Sequence, residues 1–216
     1  LGLINRLENL KGTTNMLKVG ITGGIGSGKT TVCKIFELLG IPVYYADERA
    51  KLLMTEDKKV VEAVKEVFGE QTYLPDGTLN RAYLAKIVFQ NNSQLERLNA
   101  IVHPAVYKDG ESWHEAQKDV PFTLKEAALF FENGSNQFMD KMICVTAPEQ
   151  IRIKRVMERD NTTEAAVLAR MNKQLPESEK VQQSDYVIYN DGSQSLISQV
   201  WSIYSDLKNQ LNQGKP

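Results

Sequence analysis

Along this chain short apolar runs alternate with longer stretches in which apolar residues recur every three or four positions, the pattern of strands interleaved with amphipathic helices. Residues 17–22 predict a first strand, 29–39 a helix and 41–45 a second strand, with Gly40 closing the helix and Pro42 early in the strand. That β-α-β opening predicts an open parallel sheet. Asp47 falls at the carboxyl end of the second strand. Such ends share one edge in a parallel sheet, so Asp47 and the loop after the first strand should face one crevice.

From 47 to 118 the periodicity is almost wholly helical, interrupted by the turn Leu74-Pro75-Asp76-Gly77 and by Pro104. A simple crossover is shorter, so this stretch predicts a helical subdomain, about 48–118, inserted after the second strand. Its stripes, Val60-Val61-Ala63-Val64-Val67-Phe68, Tyr83-Leu84-Ile87-Val88 and Leu95-Leu98-Ile101-Val102, read as core. Two apolar β-like runs, Val120 to Phe131 and Met142 to Thr146, return the chain to the sheet. Residues 186–189 form the last strand, before a helix over about 194–211. The core is thus about 16–47, 119–148 and 185–211 of a single domain spanning 16–211. Between the last two strands, about 149–180 predicts a helix-loop-helix in which Arg152, Arg155 and Arg159 share a face. That face is either a lid over bound phosphates or a solvated surface paired with Glu149, Glu158 and Asp160. The phosphate-binding signal described next favours the lid.

The stretch Gly23-Gly24-Ile25-Gly26-Ser27-Gly28-Lys29-Thr30 fits G-x-x-x-x-G-K-[ST] between a predicted strand and a predicted helix. In that setting the glycines let consecutive N–H groups face phosphate oxygens at the positive end of a helix. Gly24, Gly26, Ser27, Gly28, Lys29, Thr30 and Thr31 are therefore candidate ATP-binding residues. Lys29 supplies a mobile cation to the β- and γ-phosphates, and Thr30 a hydroxyl for Mg²⁺. The expected fold class is α/β, a P-loop NTPase core with a parallel sheet, an inserted helical acceptor-binding subdomain and a helical lid.

Charge and composition narrow the partners. The 216 residues carry 26 basic and 27 acidic side chains, a net charge of -1, so no global field draws nucleic acid or an anionic membrane and an anionic substrate must be held locally. Cys33 and Cys144 form no C-x-x-C or Cys/His cluster, which predicts packed thiols of a cytoplasmic protein. Residues 1–15 lack the apolar centre of a signal peptide, and no apolar run approaches bilayer-spanning length. We read 1–15 as a leader or an appended extension, and the protein as a monomer or weak homo-oligomer.

A phosphate loop alone admits kinases, GTP switches and mechanical ATPases. The guanine-specifying N-K-x-D run and a D-x-x-G switch are both missing from the sequence. One phosphate loop with a helical insertion and a basic lid suits a small-molecule kinase. Such an enzyme needs a group to align the acceptor hydroxyl and take its proton, a role open to Asp47. Asp47 is otherwise the N-cap of the helix that follows. A nucleoside or nucleotide kinase, or an ATP-binding regulatory module without transfer, fits the same core.

The residues Thr22 to Val32, Ala46-Asp47, Asp76-Gly77-Thr78-Leu79-Asn80-Arg81, Leu98-Asn99-Ala100-Ile101-Val102-His103-Pro104, the group Arg155, Arg159-Asp160, Arg170 and Gln174, and Asn190-Asp191-Gly192 together resemble the dephospho-coenzyme A kinase family. The resemblance implies ATP-dependent phosphorylation of the ribose 3′-hydroxyl of 3′-dephospho-CoA, giving coenzyme A and ADP. It implies Asp47 as base, Arg155 and Arg159 over the phosphates, Asn190 near the nucleotide, and Arg81 and His103 toward the acceptor. His103 before Pro104 also suits a helix boundary. The chain departs from the family pattern at Tyr45, where the first Asp of D-A-D stands, and at Ala128, where a proline stands. Glu126 is a second carboxylate, either orienting a Mg²⁺-bound water or paired with Lys125 or a lid arginine.

Overall fold

The computed structural model describes residues 16–89 and 91–213; the leader over 1–15 lies outside the described residues. Five strands form one sheet in the order β2-β3-β1-β4-β5: β1 Leu17–Thr22, β2 Val43–Tyr45, β3 Phe122–Glu126, β4 Lys141–Thr146 and β5 Tyr186–Tyr189. The ladders β1–β3, β1–β4 and β4–β5 are parallel, with Ile21 paired to Glu126 on one side and to Ile143 on the other. Residues 19–22 of β1 and 142–146 of β4 are buried without a break. Continuous burial of this kind is what a parallel sheet covered on both faces requires.

The chain divides into two compact units, Leu1–Val43 with Gln117–Pro216, and Tyr44–Ala116. The first unit holds the phosphate loop and α1 (Lys29–Leu38). Gly40, at φ 80°, ends α1 in a Schellman turn: its N–H bonds to Glu37 O at 2.9 Å and that of Ile41 to Phe36 O at 3.1 Å. With Ile41 committed to the helix end and Pro42 lacking a donor, β2 starts at Val43 instead of the expected position 41. The apolar run from Val120 to Phe131 is a strand only over β3. Beyond it the chain turns, leaving Leu129 exposed while Phe130 is fully buried, with Asn133 N–H on Leu129 O.

The expected helix-loop-helix before the last strand is three helices: α6 (Glu149–Asp160), α7 (Glu164–Met171) and α8 (Glu177–Gln182). Thr163 caps α7 through its hydroxyl, and Asn161 ends α6 in the left-handed region at φ 47°. Ile153 and Val156 of α6 share a small core with Val167 of α7. The last helix, α9 (Leu196–Gln213), follows β5.

The second unit is helical, as the periodicity predicts. It comprises α2 (Ala46–Glu56), α3 (Lys58–Phe68), α4 (Arg81–Phe89) and α5 (Asn92–Glu115). The α3 stripe Val60, Val64 and Phe68 packs with Tyr73, Leu84 and Val88. Asp57 caps α3 and Asn91 caps α5 through side-chain oxygens. Pro104 does not interrupt the helix: α5 runs through it. The carbonyl that loses its N–H partner belongs to Ala100, and both residues lie on the exposed face, where water can satisfy it. His103 therefore marks no helix boundary.

Candidate functional site

The phosphate loop leaves the end of β1, the central strand, and runs into α1. Gly28, the N-cap of α1, adopts φ 95° and offers no side-chain cap to the helix. A Cβ at Gly28 would strike the Asn190 amide, and one at Gly26, at φ 80°, would strike the backbone carbonyl of Arg152. Conformation and close approach thus both demand glycine at these two positions. Among the described residues, the N–H groups of Gly26, Gly28 and Thr30 have no protein acceptor. Together with the uncapped helix start they form a positive concavity of the kind that binds phosphate.

Lys29 donates from Nζ to Gly23 O at 2.9 Å and stands 4.0 Å from Glu126 Oε1. Glu126 is buried at the end of β3 and helps push the Cys33 thiol far above its ordinary range, after burial itself. Lys29 is thus an ion-pair partner of Glu126. Thr30 and Thr31 are exposed at the start of α1, while Ser27 is fully buried with its Oγ unbonded.

Asn190, just past β5, donates from Nδ2 to Ser27 O at 2.8 Å, while its own N–H bonds Thr146 O at 2.8 Å. Arg155 donates to Asn190 O at 2.9 Å and to Gly26 O at 3.5 Å. The structure therefore gathers Gly26, Ser27, Gly28, Lys29, Arg155 and Asn190, with Arg155 and Asn190 on loop carbonyls. Arg159 is turned elsewhere. It is exposed and holds Asp160, which also accepts from Arg170 at 2.7 Å. These two guanidiniums hold the Asp160 carboxyl well below the usual carboxylate range. Arg152 does not share a solvated face with them. It is buried, bonded to Ala147 O at 3.0 Å and paired with Glu177 at 3.4 Å.

The remaining expected site residues belong to the second unit. Asp47 is exposed in the first turn of α2, which begins at Ala46 with Tyr45 as N-cap, so Asp47 is not the cap. Its negative charge suits that helix end all the same. Arg81 opens α4 and His103 lies on the exposed side of α5, where partial desolvation lowers its imidazole pKa. Among the described residues, no hydrogen bond or ion pair joins Asp47, Arg81 and His103.

Two groupings have no local signal in the sequence. In the second unit Asp109 accepts both Arg49 nitrogens, at 2.9 and 2.8 Å, and the Tyr44 hydroxyl at 2.7 Å. In the first, fully buried Lys180 pairs with Glu132 at 2.6 Å and donates to Ala128 O at 2.9 Å.

A parallel sheet whose central strand ends in an uncapped, glycine-lined loop with an adjacent lysine defines a P-loop phosphate-binding protein. The dephospho-CoA kinase family model matches residues 17–195. The chain is 46% identical to the dephospho-CoA kinase of Salinibacter ruber over 180 residues, covering 82% of this chain and 90% of the other. It is 31% identical to that of Bacteroides fragilis, covering 91% and 95%. The structure superposes on TT1252 from Thermus thermophilus with a TM-score of 0.76 at 33% identity, covering 93% and 99%. The dephospho-CoA kinase from Campylobacter jejuni, at 24% identity and a TM-score of 0.61, shares the fold. The chain belongs to the dephospho-CoA kinase family and is a phosphotransferase.

Proposed function

We propose that this protein transfers the γ-phosphoryl group of ATP to the ribose 3′-hydroxyl of 3′-dephospho-CoA, giving coenzyme A and ADP in the last step of coenzyme A synthesis. The observation that carries the ATP half is the set of free N–H groups at Gly26, Gly28 and Thr30 at the uncapped start of α1, with Lys29 beside them. Family membership supports the acceptor.

The 3′-oxygen attacks the γ-phosphorus as the bond to the β,γ-bridging oxygen breaks, and the hydroxyl proton passes to Asp47. The loop N–H groups and Lys29 hold the phosphates and offset the charge that builds on them. Mg²⁺ fits this donor set. Mg²⁺ commonly relies on substrate phosphates, waters and one or two protein oxygens, and the exposed Thr30 at the start of α1 would supply one through its hydroxyl. When bound, Mg²⁺ draws charge from the transferring phosphoryl group.

Arg155 and Arg159 close over the phosphates from a lid within the region of about 149–180, and Asn190 serves the nucleotide side. Arg81 and His103 face the acceptor in the helical subdomain. No described helix is long and apolar enough to cross a membrane, and a coenzyme A enzyme of this kind acts in the cytoplasm as a monomer or weak homo-oligomer.

The test is ADP release with Mg-ATP, comparing dephospho-CoA with adenosine, AMP and other nucleosides, with mass detection of the product. Transfer only to dephospho-CoA is expected. Transfer to a nucleoside instead would make it a nucleoside kinase, and ATP binding without transfer to any acceptor would make it a regulatory module.

A further inference from the structure

The phosphate loop has an outer limb, Gly24-Ile25, that precedes the Gly26–Thr31 concavity. Both N–H groups of that limb are engaged by side chains, one from Gln174 in the segment between α7 and α8 and one from Glu177, the first residue of α8. Ile25 N–H donates to Gln174 Oε1 at 3.0 Å, and Gly24 N–H to Glu177 Oε2 at 3.1 Å. A Cβ at Gly24 would meet both the Arg152 guanidinium and the Glu177 carboxylate, so a side chain there would displace the pair that holds the limb. The Arg152 pair at 3.4 Å balances the Glu177 charge beside a site meant for anions.

The same segment is fastened at its other side. Leu175 N–H donates to Glu132 Oε1 at 2.9 Å, and Lys180 ties α8 to Glu132 and to Ala128 O. Residues 174–180 therefore bracket the phosphate loop against the turn that follows β3.

We propose that Gln174 and Glu177 are positioning residues: by holding the outer limb's N–H groups away from the concavity, they fix the loop with the Gly26–Thr31 groups already turned toward phosphate. Residues 174–180 are then a static bracket, and whatever closes over the nucleotide lies before them. Neither side chain touches substrate. Preorganised donors bind without the cost of ordering a loose loop, so loss of either acceptor weakens ATP binding.

The proposal rests on the loop being the ATP site, and its test separates the two ideas. Glu177→Ala and Gln174→Ala are expected to weaken Mg-ATP binding, read by calorimetry, by about three- to tenfold each, the worth of one hydrogen bond. The KM for dephospho-CoA is expected to stay within twofold. Glu177→Gln, which keeps an oxygen acceptor, should recover most of the affinity. Amide exchange in the unliganded protein gives a direct readout: Glu177→Ala should speed exchange at Gly24, and Gln174→Ala at Ile25. Unchanged affinity and exchange in both alanine variants would overturn the proposal. So would tighter ATP binding by Glu177→Ala, which would make the carboxylate a plug instead of a support. A wild-type protein that does not bind Mg-ATP would sink the kinase reading, while the exchange data would still decide whether the limb is fastened.

Discussion

At the scale of single residues, two charged groups carry opposite burdens. Asp47 sits exposed at a helix start, where its charge is well tolerated. Its removal costs the fold little, and the proposed loss is chemical. Asp47→Ala is expected to cut kcat by about a hundredfold or more, with ATP affinity changed by no more than a few-fold. Steady-state kinetics with calorimetric titration check this, and unaltered turnover would remove Asp47 from the mechanism. Lys180 is the reverse case, 0% exposed and held by Glu132 and Ala128 O. Lys180→Met strands the Glu132 carboxylate in a mostly buried position, and the expected loss is about 3 kcal/mol in a denaturant melt. Adding Glu132→Gln should recover a good part of it. Equal stability of the single and double variants would show that the pair carries no such strain. The local spacing of Gly23 to Thr30 made the phosphate loop legible in the sequence. The bonds from Glu177 and Lys180 were not legible, because their partners lie 153 and 52 residues away and only the packed fold brings them together.

Among the elements, those with strong periodicity or end signals were readable. β1, α1, β5 and the helical stripe of α3 fall where the pattern predicts, and Gly40 ends α1 through a turn that only its φ of 80° permits readily. What failed to read were features settled by solvent and tertiary contact. Pro104 is a breaker by propensity, yet on the exposed face of α5 its lost bond can be made to water. Arg152 looked like a member of a basic stripe, but the buried side of α6 claims it for Glu177. The corner between α6 and α7 carries a pH prediction. Arg159 and Arg170 depress the Asp160 pKa below its ordinary 3.8. A depressed folded-state pKa means stabilisation present above the unfolded value and lost as pH falls from about 4 toward the folded one. Asp160→Asn is therefore expected to lower the melting temperature at pH 7 and to narrow the gap from wild type at pH 3. Melts at the two pH values decide it, and a constant gap would place the effect outside Asp160 ionisation. The group is exposed, so the neutral-pH effect should be small and should shrink in high salt.

For the molecule as a whole, the division into two compact units turns the proposed reaction into a prediction about where each ligand is felt. The phosphate loop, Lys29, Arg155 and Asn190 belong to the first unit, whereas Asp47, Arg81 and His103 belong to the second. With a net charge of -1 there is no general attraction for polyanions, so each ligand must be held by its own local groups. Mg-ATP alone is expected to slow amide exchange at residues 23–31 and in α6 and α7, with little change in α8, already fastened through Lys180 and Glu132. Dephospho-CoA alone is expected to slow exchange around Arg81 on α4 and His103 on α5. Hydrogen-exchange mass spectrometry with each ligand separately gives the answer. Protection by dephospho-CoA confined to the first unit would remove the acceptor role from the helical unit. Protection of α8 by ATP equal to that of α7 would mean that the whole 149–180 region closes as one body. The pattern expected instead divides it into a moving part that meets the nucleotide and a fixed part that shapes the loop.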